Sequence, residues 1–280
     1  MFLIKSPNDL DITLESYRSS GMKIGFVATM GALHEGHISL IERSKLDNNM
    51  TVCSIFVNPR QFNDPKDLEK YPRPIEKDIE ILTNAQTDIL FLPGDQDIYP
   101  TNYYEPSIDL DGLDSLLEGT MRPGHFKGVA LVVKRLFDCV KPDRAYFGQK
   151  DYQQTLVIKQ LVKQFNIPTQ ILIGDIIREE NGLAMSSRNN RLPSDKRVEA
   201  SFIYNALLKM KEELKTLSIP DAIDNAKSDI LQHADARIEY LVVADPENLS
   251  IMNIMTPGRP ALILIVVNYG GVRLLDNMFV

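Results

Sequence analysis

The fold class predicted is α/β, a doubly wound parallel sheet followed by a smaller C-terminal α+β domain, and three observations predict it. From Lys23 to about Gly174, short β-branched runs alternate with segments of helical period, the pattern of parallel strands joined by crossover helices. Polar clusters follow directly on the strand runs, where a Rossmann-like sheet receives its ligands. After Gly174 helices give way to apolar runs with turns at Pro257-Gly258 and Gly270-Gly271, which predicts a small antiparallel sheet. The division is placed at 1–176 and 177–280.

Five strands are expected in the first part: Ile24 to Thr29, Thr51 to Val57, Asp88 to Pro93, Asp143 to Phe147 and Thr169 to Ile173. Between them Ile75, Ile79 and Leu82 fall at i, i+4, i+7, and Val129, Val132, Val133, Leu136, Phe137 and Val140 trace one helical stripe. The polar stretch Arg178 to Arg191 leads to Pro193-Ser194-Asp195, a helix start, and helices are predicted over 194–216 and 220–233. Strands are expected at Ile238 to Val243, Ala261 to Val267 and Val272 to Leu275. The run Lys209 to Lys215 is expected to be a solvated helix face.

With 280 residues and 44% apolar content the chain is long enough for one large or two ordinary domains, which excludes disorder as a description of the whole. The 31 Lys and Arg against 38 Asp and Glu give a net charge of −7, so no global field favours nucleic acid. A small polyanion such as ATP remains accessible to a few convergent donors. Cys53 and Cys139 lie in apolar runs and are expected to be small buried hydrophobes. They make no disulfide framework, and the N-terminus lacks the features of a signal peptide, so a cytoplasmic location is expected. The longest apolar run, Ala261 to Val267, is far below the roughly 18 residues of a membrane span.

The chemistry-bearing clusters sit after the strands. His34 and His37 share one face of the turn that opens a helix, where free amides and the helix dipole favour an anion, and Gly31 and Gly36 allow close approach of the backbone. Zinc would need a third ligand, and none stands nearby. Strand two runs into Asn58-Pro59-Arg60-Gln61, two amides and a guanidinium. Arg122 and His125 precede the apolar helix, and Lys150 follows Gly148 at a strand-to-helix junction, where an ammonium can meet phosphate. Ser186, Ser187 and Arg188 follow Gly182 as further donors, or as a plain polar interdomain loop.

Together these motifs resemble the pantothenate synthetase (pantoate–β-alanine ligase) family over nearly the whole chain. The resemblance rests on the stretch from Thr29 to His37, Phe56 to Pro59, Tyr71-Pro72-Arg73, Arg122 to Phe126, Pro142-Asp143-Arg144 with Phe147-Gly148, Lys150 to Gln154, Gly182 to Arg188, and Leu274 to Asn277. Ala28 stands where the family usually has Pro, and Asp175-Ile176 replaces a common Pro-Thr. The resemblance implies a ligase that condenses pantoate with β-alanine at the expense of ATP, through a pantoyl adenylate, releasing pyrophosphate and AMP. It implies catalytic roles for His34, His37, Lys150 and Arg188, and ATP contacts from Met30, Gly31, His34, His37, Gly148, Lys150, Asp151, Ile177, Met185, Ser186, Ser187 and Arg188. Gln61 and Gln154 match the pantoate positions, with Asn58, Arg122 and His125 as further substrate contacts. Mg2+ is expected to ride on phosphate oxygens and water without an assigned ligand, Asp78 being only a weak match to a magnesium-associated group. The first domain then binds nucleotide and pantoate, the second acts as a lid, and a homodimer without nucleic-acid or membrane partners is expected. Nucleotidyltransferases and class I aminoacyl-tRNA synthetases share this phosphate chemistry, but a synthetase would bring a large basic tRNA-binding domain.

Overall fold

The computed structural model describes residues 1–280 and divides into two compact units, Met1–Gly148 with Gln153–Gly174, and Gln149–Tyr152 with Asp175–Val280. The first unit is built on six parallel strands, β1 (Phe2–Ile4), β2 (Ile24–Thr29), β3 (Met50–Ile55), β4 (Ile89–Phe91), β5 (Arg144–Gly148) and β6 (Gln170–Gly174). Their order is β1-β4-β3-β2-β5-β6, so the winding reverses between β2 and β5, and the carboxyl end of β2 lies at that switch point.

Its helices are α1 (Pro7–Ser19), α2 (Glu35–Asp47), α3 (Pro65–Glu69), α4 (Ile75–Asn84), α5 (Asp95–Ile98), α6 (Leu117–Met121), α7 (His125–Val140) and α8 (Tyr152–Gln164). The expected stripe of α7 is buried from Val129 to Val140 apart from Lys134, Arg135 and Asp138, because the apolar side faces the sheet. Val27, Ile41, Cys53, Leu82, Leu90 and Tyr146 form one face of the core. Both cysteines are buried as expected, and desolvation pushes the Cys53 thiol up to about 12, so it stays protonated. The strand at Phe2–Ile4 carries no sequence signal: three residues at the sheet edge are too few to show alternation.

The second unit comprises α9 (Ser194–Glu199), α10 (Phe202–Glu213) and α11 (Ile219–Ile230) on an antiparallel sheet of β7 (Arg237–Ala244), β8 (Leu262–Tyr269) and β9 (Val272–Phe279). The single helix expected over 194–216 is two. Asn181 Nδ2 donates to the carbonyls of Arg197 at 2.9 Å and Val198 at 3.0 Å, drawing off acceptors that a continuous helix would need. In the run expected to be a solvated face, Met210 and Leu214 are buried while Lys209, Glu212 and Lys215 are exposed, so only one side of it meets water.

Candidate active site

At the switch point β2 delivers the chain into Met30, Gly31 and Ala32, and then into α2 capped by His34. His34 Nδ1 accepts from Gly36 N at 3.1 Å and His37 Nδ1 from His34 N at 3.3 Å, a reciprocal capping box made of two imidazoles. A ring nitrogen that accepts from an amide carries no proton, so in the neutral rings the proton sits on Nε2 of each histidine. The ring centroids are 4.1 Å apart. This differs from the expectation of free amides at the helix start. The amides of Gly31, Ala32, Leu33, His34, Gly36 and His37 all bond within the chain. Gly31 has φ +79°, and a Cβ there would stand 2.9 Å from Asp78 Oδ2, so both backbone and neighbour require glycine.

The clusters after β3 and before α7 meet in space. Asn58 is fully buried: its Oδ1 accepts from Arg60 N at 3.2 Å and from the Tyr99 hydroxyl at 3.1 Å, and its Nδ2 donates to Gln61 Oε1 at 3.2 Å and to Gly128 O at 3.0 Å. All its polar capacity is spent inside the protein. Because Gln61 Oε1 accepts from Asn58, its NH2 turns the other way and lies 2.9 Å from Met30 Sδ, beside the β2 loop. Arg122 Nη1 donates to His125 Nε2 at 3.0 Å, which fixes the His125 proton on Nδ1, and that nitrogen donates to Gln61 O at 2.8 Å. Gly128 lets α7 come this close, since a Cβ would stand 2.3 Å from Arg60 O. The guanidinium of Arg60 lies 4.0 Å from the Tyr99 ring centroid and pairs with Glu105 at 2.7 Å. Gln153 and Gln154, alike in sequence, differ in place. Gln153 is buried and bonds Glu118 N, Leu113 O and Leu116 O, while Gln154 is half-buried on α8.

In the second unit, Lys150 and Asp151 form an ion pair at 3.3 Å, and Asn277 Nδ2 donates to the carbonyls of both Gln149 and Lys150 at 3.0 Å. The neighbouring Asp276 takes two bonds from Arg178, at 2.6 and 3.0 Å, and Arg178 also donates to Gly182 O. Burial pushes the Asp276 carboxyl above its ordinary range against the pull of Arg178. Residues Ile177 to Met185 form a tight hairpin, with Met185 N bonded to Ile177 O and Arg178 bridged to Ala184. Ser186 caps the 3-10 turn Ser187–Arg191 by accepting from Arg188 N at 3.2 Å, and buried Asn189 ties that turn to Glu179 and Ala184. Thus β9 joins the Lys150 turn to the Ser-Ser-Arg loop. The turns that carry the expected ATP positions of this unit are held by Asp276, Asn277 and Asn189. Asp276 and Asn277 belong to the Leu274 to Asn277 stretch that carries the resemblance, but residue type alone assigns them no role.

In the first unit, a helix headed by two imidazoles at the switch point of a doubly wound parallel sheet, with an amide cluster beside it, has the form of a Rossmann-like ligand-binding unit. The chain belongs to the pantoate-beta-alanine ligase family, whose model matches residues 3–279. It is 43% identical to the pantothenate synthetase of Cytophaga hutchinsonii, covering 100% of this chain and 99% of that one, and 40% identical to that of Fervidobacterium nodosum over 100% and 99%. Among solved structures it is similar to pantothenate synthetase from Thermus thermophilus, with TM-score 0.90, 37% identity and 99% of both chains covered. It is also similar to the Francisella tularensis pantoate-beta-alanine ligase complexed with beta-gamma ATP and beta-alanine, with TM-score 0.79, 38% identity and 99% and 97% covered.

Proposed function

We propose that the chain catalyses ATP-dependent condensation of pantoate with β-alanine to pantothenate through pantoyl adenylate. Membership of the ligase family over residues 3–279 carries this reading. A pantoate carboxylate oxygen bonds to the α-phosphorus of ATP as the bond to pyrophosphate breaks. The β-alanine amine, having lost a proton, then attacks the acyl carbon and AMP leaves. In the first step negative charge grows on phosphate oxygens, where fixed donors act most strongly. We assign this to Nε2–H of His34 and His37, to Lys150 and to Arg188, with Met30, Gly31, Gly148, Asp151, Ile177, Met185, Ser186 and Ser187 around ATP. Gln61, its NH2 directed by Asn58, donates to pantoate, and Gln154 is the second amide. Arg122 and His125 act by holding the Gln61 backbone.

No group of three or more His, Cys, Asp or Glu side chains is placed to hold a metal, and Asp78 is fully buried with both oxygens bonded to backbone amides. A Mg2+ arriving on ATP would supply charge neutralisation at the phosphates, held by phosphate oxygens and water. We assign nucleotide and pantoate binding to 1–176 and the lid role to 177–280, and propose a cytoplasmic homodimer. No helix is long and apolar enough to cross a membrane.

Isotope exchange between ATP and pyrophosphate tests the reading. It is expected with pantoate and Mg2+ in the absence of β-alanine, and to vanish without pantoate. Formation of ADP in place of AMP, or exchange only after β-alanine is added, overturns the adenylate route.

A further inference from the structure

Asp78 is a fully buried carboxylate in the first turn of α4 and has no ion pair. Burying an uncompensated charge is expensive unless hydrogen bonds replace water. Here the replacement is specific: Oδ2 accepts from Ala32 N and Oδ1 from Leu33 N, each at 2.8 Å. Ala32 has φ +52°, a left-handed conformation that a residue with a Cβ rarely adopts and that its surroundings must impose. Two residues later the chain reaches His34, whose cap geometry sets both imidazoles. Gly31 completes the arrangement, since a side chain there would collide with the same carboxylate.

We propose that Asp78 is a positioning residue for adenylate formation, its carboxylate holding the Ala32–Leu33 backbone so that the imidazoles of His34 and His37 are set for the nucleotide phosphates. It acts from α4 through the loop and touches neither substrate nor metal. The inference rests on the ATP reading above.

The test is Asp78→Asn in the full chain, which keeps shape and leaves one oxygen, but turns an NH2 toward a backbone N–H. Pyrophosphate release from ATP and pantoate in a single turnover should slow about 10- to 100-fold, the scale of a displaced catalytic group. The pantoate KM should change little, because the amide cluster after β3 is untouched. Amide hydrogen exchange at Ala32 and Leu33 should accelerate by about tenfold or more while β2 and β3 keep their protection. The Mg2+ concentration for half-maximal rate should stay where it is. A normal single-turnover rate, or a shifted Mg2+ requirement with unchanged exchange at Ala32 and Leu33, overturns the proposal, the latter by making Asp78 a metal-associated group. Should Asp78→Asn fail to fold, an ester in place of the Ala32 amide, introduced as lactic acid at position 32, deletes one donor and leaves Asp78 intact; the same slowing is expected, and an unaltered rate overturns the proposal. Binding of a non-hydrolysable ATP analogue to the unaltered protein separates the two readings. If it does not bind, the ATP reading fails; if it binds and Asp78→Asn is kinetically normal, only the role of Asp78 fails.

Discussion

Asn58 and Gln61 are three residues apart and both buried, yet their side chains have different duties. Asn58 bonds to Arg60, Gln61, Tyr99 and Gly128, so truncating it strands several partners inside the protein. Gln61 receives its orientation from Asn58, and its NH2 lies against Met30 Sδ beside the β2 loop. Gln61→Ala and Gln154→Ala should therefore weaken pantoate use by about 1–3 kcal/mol each, the cost of a missing partner in a polar pocket, with ATP-analogue affinity unchanged. Asn58→Ala should lower the unfolding midpoint as well, because Tyr99 and Gly128 lose a partner there. Calorimetric binding of each ligand, paired with thermal melts, checks the split. Equal losses of pantoate and nucleotide binding in Gln61→Ala would show that the site is not divided between substrates in this way. The Asn58-Pro59-Arg60-Gln61 motif by itself puts the two amides on equal terms, and only the family resemblance matches Gln61 to pantoate, since residue type does not tell which amide is spent on the protein.

At the scale of elements, the hydrophobic period located five of the six parallel strands and all three antiparallel ones, because their apolar runs stand out between polar turns, even at β6, which is only half-buried. It failed where a side chain overrides the pattern, as Asn181 does between α9 and α10. It was silent on β9's polar end, where Asp276 and Asn277 fix Arg178 and the Lys150 turn. Arg178 also lies 3.9 Å from the ring centroid of Tyr204. Removing one partner of a buried pair leaves a charge uncompensated, so Arg178→Met should cost about 3–5 kcal/mol at neutral pH. Without Arg178 the Asp276 carboxyl, already raised by burial, rises further. A group with a raised folded-state pKa binds its proton more tightly in the folded chain, so stability grows as pH falls through that value. The penalty of Arg178→Met should therefore shrink from pH 7 toward the unfolded value of about 3.9. Urea unfolding across that range is the measurement, and a penalty that stays constant would show that Asp276 does not carry the uncompensated charge.

For the whole molecule, the clusters after strands were legible because glycine, histidine and amide residues stand out against β-branched runs. Their mutual arrangement was not, since the partners of Asp78, Tyr99 and Asn189 lie 45, 41 and 10 positions away along the chain. The same long-range ties predict the acid limit of the fold. The Asp11 carboxyl is held below its ordinary range by a hydrogen bond from Lys141, 130 residues distant, and Asp245 by the Glu247 amide and then by Arg259. A carboxyl with a depressed folded-state pKa adds stability above its unfolded value of about 3.9, and that stability is lost as pH falls through the folded value. Asp276 has the opposite sign, since its raised pKa makes the folded state gain as pH drops toward the same point. Between pH 7 and about 4 the depressed carboxyls are ionised in both states and contribute little slope, so Asp276 alone among these groups tilts the curve, gently toward higher stability in acid. Below about pH 4 the tilt reverses, because the unfolded chain takes up protons that Asp11 and Asp245 resist in the folded one. Urea midpoints should therefore pass through a shallow maximum. Asp245→Asn should flatten only the acid side of it, and Arg178→Met should steepen only the neutral side. A maximum that moves as one body in both variants would place the titration elsewhere in the molecule.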